Sequence, residues 1–380
     1  MKFAHLADTH LGYRQYGLFD RETDFYNVFN NIIDKIIEER PDFVIHSGDL
    51  FEFSRPPTTA LLKVQQGLLA LKEADIPVFA IAGNHDIIMR KNAIPPHVLF
   101  RELGLKVISP NNPYFIKDDI FIGGTPHVSK HQSTYLSETL KELDQISKKY
   151  DKRVLVLHQG IDKYLPFEYE LELADIPESF HYYAMGHIHT RIIDDFGEGK
   201  LAYPGSTEIW KSDELASYKA KGKGFYMVDM GGDEPEIEPI NMEMGREFIR
   251  ENIYYPEIQI EIEKLKNYIS TLKQKPLLNL TVEGGNFNRS EVFEELNNAF
   301  SDICLSIRPN FKSQSLQEAE EMLKDAGAIN PRKLLVERLN EFEDPKITEL
   351  GLSLLNEMSE GKTDNAEEIT KKFYGEYYDH

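Results

Sequence analysis

A chain of 380 residues with 41% hydrophobic content can bury a real core, and its length suggests two or three domains. The formal net charge of −21, from 64 acidic and 43 basic residues, argues against nucleic-acid binding through the overall field, so any phosphate contact must be local. The single cysteine, Cys304, excludes an intrachain disulfide and a cysteine metal cluster, which suits a reducing cytosol and leaves nitrogen and oxygen as metal ligands. No apolar run approaches the ~20 residues of a membrane span. The N-terminal MKFAHLADTH lacks a basic stretch followed by an apolar one, so neither membrane association nor export is expected.

In chain order, KFAHLAD, PDFVIHSGD, IPVFAIAGNHD, DDIFIGGTP, RVLVLHQG, YYAMGHIH and GKGFYMVDM are short apolar runs that stop at glycine or polar residues, and they read as buried strands. Between the first three lie helical patterns, ETDFYNVFNNIIDKIIEER and TTALLKVQQGLLALKEAD, each long enough to return the chain for a parallel strand. A smaller alternation follows at about 246–308: REFIREN and KPLLNLTVEGG as strands around the helical IEIEKLKNYISTLK, then RSEVFEELNNAF and a last strand, DICLSIRP. Asn288 and Glu291 give RSEVFEELNNAF a capping-box start. The final stretch is acidic and helical, with Asn330-Pro331 and Asp344-Pro345 marking two starts. Leu335, Leu339 and Phe342 share one face of the first helix, and Ile347, Leu350, Leu354 and Met358 one face of the second. So short a pair has little core of its own, and its apolar face is expected to meet a partner's helices. The fold class is α/β.

The chemistry gathers at strand ends. Asp8 and His10 follow the first strand, Asp49 the second, and Asn84, His85 and Asp86 the third, while His158 closes VLVLH, and His187 and His189 follow YAMG. In α/β sheets the carboxyl edge of the strands collects catalytic groups, so residues distant in sequence converge there. On an extended backbone His187 and His189 could reach one point. Gly48, Gly83 and Gly186 each precede a candidate and let the chain turn so that the next side chain aims inward. Two divalent ions would explain this inventory, roughly 4 Å apart with Asp49 bridging them. With N and O ligands and no thiolate, Mn²⁺ is the natural ion, ahead of Fe, Zn, Co or Mg. His5 and His46, inside strands, read as satisfied core residues; His97, His127, His131, His181 and His380 sit in no ligand pattern.

The motifs DTH, GD, GNHD, the histidine at 158 and GHIH resemble those of the calcineurin-like metallophosphoesterases. HLADTHLGYRQY, SGDLFEFSRP, AGNHD, LHQG, YYAMGHIH and YPGSTE are closer still to the double-strand-break repair nucleases named meiotic recombination eleven, called SbcD in bacteria. GDLFEFS is unlike the GDxxDRG of the phosphoprotein phosphatases. The resemblance implies a metallophosphoesterase β-sandwich flanked by helices over 1–240, a small α/β capping, DNA-binding domain over 245–310 and a helical segment over 311–380 that binds a Rad-fifty-type ABC ATPase with a coiled coil.

Carried onto matching positions, it implies one ion on Asp8, His10, Asp49 and His189, and a second on Asp49, Asn84, His158 and His187. His85 stays off the ions and protonates the leaving 3′ oxygen, a role that suits imidazole chemistry at neutral pH. Asp86 is expected to fix His85. Tyr13, Arg14, Arg55, Arg90 and Lys91, in loops after the ligand motifs, are candidate DNA contacts, and Lys219, Lys221 and Lys223 form another local basic run. Several relatives carry a histidine three residues after the bridging aspartate, thought to seat duplex phosphate, whereas this chain has Glu52. That carboxylate is expected either to repel a phosphate or, turned outward or paired with Arg55, to do nothing to DNA.

The implied activity is a Mn²⁺-dependent 3′-to-5′ exonuclease on duplex ends and endonuclease on single strands or hairpins. The protein would be a homodimer, cytoplasmic and nucleoid-associated, or nuclear if eukaryotic. Two alternatives stay open: a phosphatase or cyclic-nucleotide phosphodiesterase of the same superfamily, and a mainly structural DNA-end-bridging subunit.

Overall fold

The computed structural model describes residues 1–87, 94–312 and 345–359, together with positions 335, 336, 339, 369, 370 and 373. Two compact units divide the chain, the first made of Met1–Ile249 and Leu272–Leu277, the second of Arg250–Thr271 and Leu278–His380.

The first unit is built on two six-stranded sheets. One joins β1 (Lys2–Leu6), β2 (Phe43–His46), β3 (Val78–Ala80) and β4 (Leu105–Val107) in parallel. The other has β5 (Tyr114–Lys117) pairing antiparallel with β6 (Ile120–Thr125), which runs parallel to β7 (Lys152–His158) and β8 (Tyr182–Gly186). It is completed by β10 (Gly199–Tyr203), parallel to β8, and the antiparallel edge strand β9 (Ile192–Phe196). The first sheet gains β11 (Gly224–Asp229), antiparallel to β1, and β12 (Glu236–Asn241) beyond it.

Alternate residues of the central strands enter different cores, as a period of two requires. Phe43 and Ile45 meet Val154 and Val156 in the layer between the sheets, whereas Val44 faces the helices on one side and Leu155 and Leu157 the helix on the other. A strand covered on both faces must be apolar throughout, and for that reason these segments read as unbroken hydrophobic runs.

Helices α1 (Phe19–Glu39) and α2 (Thr58–Glu73) cover the first sheet, burying Phe25, Val28, Phe29, Ile32 and Ile36 from one and Ala60, Val64, Leu68 and Leu71 from the other. Helix α3 (Ser133–Ser147) covers the second sheet with Leu136, Leu140 and Leu143. Each such side chain larger than alanine contributes about 1.5–3 kcal/mol by leaving water. The expected β-sandwich flanked by helices is therefore present, with a short helix α4 (Glu214–Lys221) beside the strand ends.

In the second region β13 (Phe248–Tyr254), β14 (Leu277–Glu283) and β15 (Ser306–Lys312) form a three-stranded sheet with β14 central. Helix α5 (Ile258–Ile269) buries Ile258, Ile262, Leu265 and Ile269, and α6 (Arg289–Phe300) buries Val292, Leu296 and Phe300. Asn288 caps α6: its side chain accepts from Ser290 N at 3.0 Å and donates to Glu291 at 3.1 Å. Helix α7 (Pro345–Ser359) leaves Ile347, Leu350 and Leu354 half-buried, and Leu339 lies against its Gly351. Phe342 and the side chain of Met358 lie outside the described residues. Among the described residues no helix is long and apolar enough to cross a membrane.

Candidate metal centre

Asp8, His10, Asp49, Asn84 and His85 stand just beyond the carboxyl ends of β1, β2 and β3, His158 is the last residue of β7, and His187 and His189 follow β8. The ligand candidates thus come from two sheets rather than one edge, brought together because the sandwich aligns the ends of its central strands. Cross-bracing ties the sheets at this point. The Asp8 carboxylate accepts the backbone N–H of His187 at 3.1 and 3.2 Å from one sheet to the other, while within the first sheet Asp49 Oδ1 accepts that of His85 at 2.9 Å. Asp8, His10, Asp49 and His187 all have positive φ, from 45° to 93°. Non-glycine residues rarely sit there, and such backbone strain concentrates at functional sites where the surroundings impose it.

The three glycines do not act alike. Gly48 has φ +99°, the turn-making role expected of it. Gly83 and Gly186 are there for clearance: a Cβ would lie 2.1 Å from Asp49 Oδ1 in one case and 2.1 Å from Ser47 O in the other.

The side chains converge closely. His158 Nε2 lies 3.2 Å from Asp49 Oδ2 and 3.1 Å from Asn84 Oδ1, and His187 Nδ1 is 3.0 Å from the same amide oxygen. His10 Nε2 and His189 Nε2 are 3.1 Å apart, each 3.9 Å from a carboxylate oxygen, of Asp49 and Asp8 respectively.

The outer nitrogens show which way the rings are set. His158 Nδ1 donates to Ser47 O at 2.8 Å, and His189 Nδ1 to Glu214 Oε1 at 2.9 Å. His10 Nδ1 lies 2.9 Å from Glu52 Oε2, off the axis of a good hydrogen bond, and His187 Nε2 is 3.6 Å from Glu170 Oε1. With the N–H groups outward, lone pairs point inward at one another and at oxygens, and these contacts need positive charge among them. An imidazole whose far N–H is held by a carboxylate or carbonyl is the usual setting of a metal-bound histidine. The donor set therefore fits divalent cations, and Asp8, His10 and His189, and likewise Asp8, Asp49 and His158, offer atoms within 4.8 Å of one another.

The charges in the cluster act on one another. Burial pulls the His158 imidazole down, but Asp49 and Asp8 outweigh it and raise it to about 9. Burial pushes Asp49 up, and His158 and His10 more than reverse this, holding it well below the usual carboxylate range. His187 is lowered to about 3, by burial first and then by His158.

A model of the calcineurin-like phosphoesterase family matches residues 1–191. A protein named DNA double-strand break repair protein Mre11 from Methanocaldococcus jannaschii is 42% identical over 308 residues, covering 74% of this chain and 82% of its own length. Its namesake from Methanococcus maripaludis is 36% identical over 331 residues, 84% of this chain and 86% of its own, and that from Saccharolobus solfataricus is 32% identical over 395, 99% of each. The chain belongs to the Mre11 family of calcineurin-like phosphoesterases.

Several residues around this Mre11-family cluster differ from their sequence expectations. Asp86 does not hold His85: its carboxylate accepts Leu50 N, Phe51 N and Gly83 N at 3.2, 2.9 and 2.9 Å and lies 3.7 Å from buried His97. It fastens the loop after β2 to the loop after β3. His85 is oriented by the carbonyl of Glu52, to which its Nδ1 donates at 3.0 Å.

Glu52 neither turns outward nor pairs with Arg55. It is 6% exposed, and its Oε2 accepts from Trp210 Nε1 at 2.9 Å. The carboxylate is directed inward, against Trp210 and His10.

Tyr13 is half-buried, its ring against Phe25 and Trp210. Arg14 is exposed and pairs with buried Glu22, and Arg55 is exposed. Arg90 and Lys91 lie outside the described residues. Lys219 and Lys221 are exposed, but Lys223 is 2% exposed and bound to Glu214 at 2.6 Å, so it is a structural cation and no part of a surface run.

His5 is the satisfied core histidine expected, held by Tyr182 OH and Ser47 Oγ, both at 2.8 Å. His46 pairs only through Nε2, with Thr9 at 3.1 Å, and its Nδ1 has no partner. His127 stacks on His187, ring centroids 5.9 Å apart, and Nδ1 contacts His158 O at 3.1 Å. Glu170, Glu214, Trp210 and His127 carried no sequence signal, because each reaches the cluster from a loop or helix far away in the chain.

Proposed function

We propose that this Mre11-family protein is a nuclease that hydrolyses DNA phosphodiesters with two divalent ions, Mn²⁺ by the chemistry of its donors. The inward-facing His10, His158 and His189 nitrogens, each backed by an oxygen on the far side of its ring, carry this reading. Asp8, His10, Asp49 and His189 would hold one ion, and Asp49, Asn84, His158 and His187 the other. When bound, the ions supply Lewis acidity and an activated water. His85 stands beside this cluster with its Nδ1 proton committed to Glu52 O, so the proton it can deliver is the one at Nε2. It gives that proton to the leaving 3′ oxygen, a contribution of about a hundredfold or more.

The strand-break-repair names of its relatives support DNA as the substrate. We assign it 3′-to-5′ exonuclease action on duplex ends and endonuclease action on single strands, with Arg14 and Arg55 as exposed phosphate contacts. The region from 245 to 310 would cap the DNA, and the segment from 311 would bind a coiled-coil ATPase of the Rad-fifty kind. A homodimer through the phosphoesterase helices is supported by Leu62 and Leu69 of α2, exposed by 48% and 39%.

Labelled duplex and single-stranded DNA, incubated with and without Mn²⁺, tests the assignment. Ion-dependent shortening of 3′ ends and cutting of single strands is expected. Intact DNA beside rapid hydrolysis of a phosphate monoester would replace the nuclease with a phosphatase.

A further inference from the structure

Glu52 is a buried carboxylate that the two-ion chemistry does not use, and it touches both halves of the site. Oε2 receives the indole N–H of Trp210 at 2.9 Å and lies 2.9 Å from His10 Nδ1, while the Glu52 carbonyl receives His85 Nδ1 at 3.0 Å. Trp210 is itself fixed. Its ring stacks on His10 at 5.4 Å and meets His85 and His189 edge-on at 5.8 and 5.2 Å. The Trp210 carbonyl accepts from Gln15 Nε2 at 2.7 Å, and Gln15 Oε1 accepts from the fully buried Arg21 at 2.8 Å.

We propose that Glu52 is a positioning residue serving ion and acid together, with Trp210 as its clamp. The carboxylate draws the Nδ1–H of His10 outward and leaves Nε2 for the ion that Asp8, Asp49 and His189 would hold with it, and the carbonyl takes the Nδ1–H of His85 and leaves its Nε2 for the leaving oxygen. The inference rests on the two-ion reading above.

The physical ground is that a buried carboxylate must be met by donors. Trp210 supplies one, and the ring N–H of His10 is the other within reach. An ion held by Nε2 would polarise that N–H and strengthen the attraction, so holding His10 and holding the ion would reinforce each other. The residue that sequence reasoning placed toward the DNA thus acts from beneath the metal centre. A single backbone segment then fixes the spacing between the ion and the protonated imidazole.

Glu52→Gln keeps the shape and removes the charge, and its amide oxygen can still accept from both Trp210 and His10, which meet the same oxygen of Glu52, so the variant isolates the charge. Trp210→Phe keeps the ring and removes the clamp. Mn²⁺ stoichiometry and affinity are measured on the full chain by equilibrium dialysis, without DNA, next to Asp8→Ala and Asn84→Ala as markers of each ion.

Glu52→Gln is expected to weaken the ion marked by Asp8 by about 10–100-fold and leave the other unchanged. Trp210→Phe should weaken the same ion by less. Wild-type affinity at both ions in Glu52→Gln would overturn the proposal, as would an equal loss at both with a lower melting temperature, the sign of a merely structural role. Loss of a third equivalent would do so too, because His10, Glu52 and His85 would then be an ion site themselves. If the Asp8 and Asn84 variants each still bind two ions, the two-ion reading falls, and this assignment with it.

Discussion

His10 Nε2 and His189 Nε2 face each other across 3.1 Å, while the far nitrogens of the same two rings lie 2.9 Å from the carboxylates of Glu52 and Glu214. Two neutral rings so arranged would oppose lone pair to lone pair. The contact therefore needs a proton or a cation between them, and a divalent ion also satisfies Asp8 and Asp49 beside it.

Asp49→Ala and His187→Ala each remove an inward-facing donor, and both should lower bound metal and abolish cleavage. His85→Ala should behave differently. It removes a ring whose Nδ1 is committed to Glu52 O and which packs edge-on against His10 and Trp210. Both ions and DNA binding should persist while cleavage falls by about a hundredfold or more. Metal analysis of the purified variants decides the point, and loss of metal in His85→Ala would show it to be a ligand.

Gly186→Ala tests how tightly the two sheets meet at the site. A Cβ there would stand 2.1 Å from Ser47 O and 2.7 Å from His158 Nδ1, two atoms already joined by a hydrogen bond. Both must shift, and forcing atoms into a packed site costs about 1–3 kcal/mol. A melting temperature lowered by several degrees, with weaker Mn²⁺ binding through His158, is expected. Unchanged melting and binding would mean that the ends of β7 and β8 yield at little cost.

The parts legible in the sequence are those with local causes. Strands β1, β2, β7 and β8 are covered on both faces, so their residues form continuous apolar runs, and their ends carry glycine and ligand types together. Strands β4, β9 and β12 left no such trace: β4 has three residues, and β9 and β12 are edge strands with partly or fully exposed side chains. The partners of the imidazoles were equally silent. Glu52 lies three residues from Asp49 yet bonds to Trp210, 158 residues away, and Glu214 reaches His189 from α4. Lys223 shows the same limit: a count of charges cannot distinguish a solvated lysine from one buried against Glu214.

Removing residues from about 328 onward should leave a folded, Mn²⁺-dependent nuclease, because every candidate ligand lies between Asp8 and His189. Association with the coiled-coil ATPase should be lost. The half-buried row Ile347, Leu350 and Leu354 on α7 is the described part of the face removed. Co-purification of the truncated chain with the ATPase would place the interface elsewhere.

His5 should make the first unit sensitive to acid independently of the metals. Burial pulls its imidazole down to about 3, from an ordinary value of 6.5, while its nitrogens pair with Tyr182 OH and Ser47 Oγ. The folded value lies below the unfolded one, so the stability this group contributes is complete above about 6.5. It is lost as pH falls from there toward 3, because the unfolded chain takes up a proton that the folded chain refuses. Between pH 6 and 4 the loss approaches about 1.4 kcal/mol per pH unit for this one group. His5→Gln can still donate and accept but cannot be protonated, so its unfolding free energy should fall less steeply over that interval, by about one proton's worth of slope. Denaturant unfolding of both proteins in EDTA at several pH values measures the difference without metal release contributing. Equal slopes would mean that His5 takes up its proton in the folded protein, and that Tyr182 and Ser47 accommodate the imidazolium.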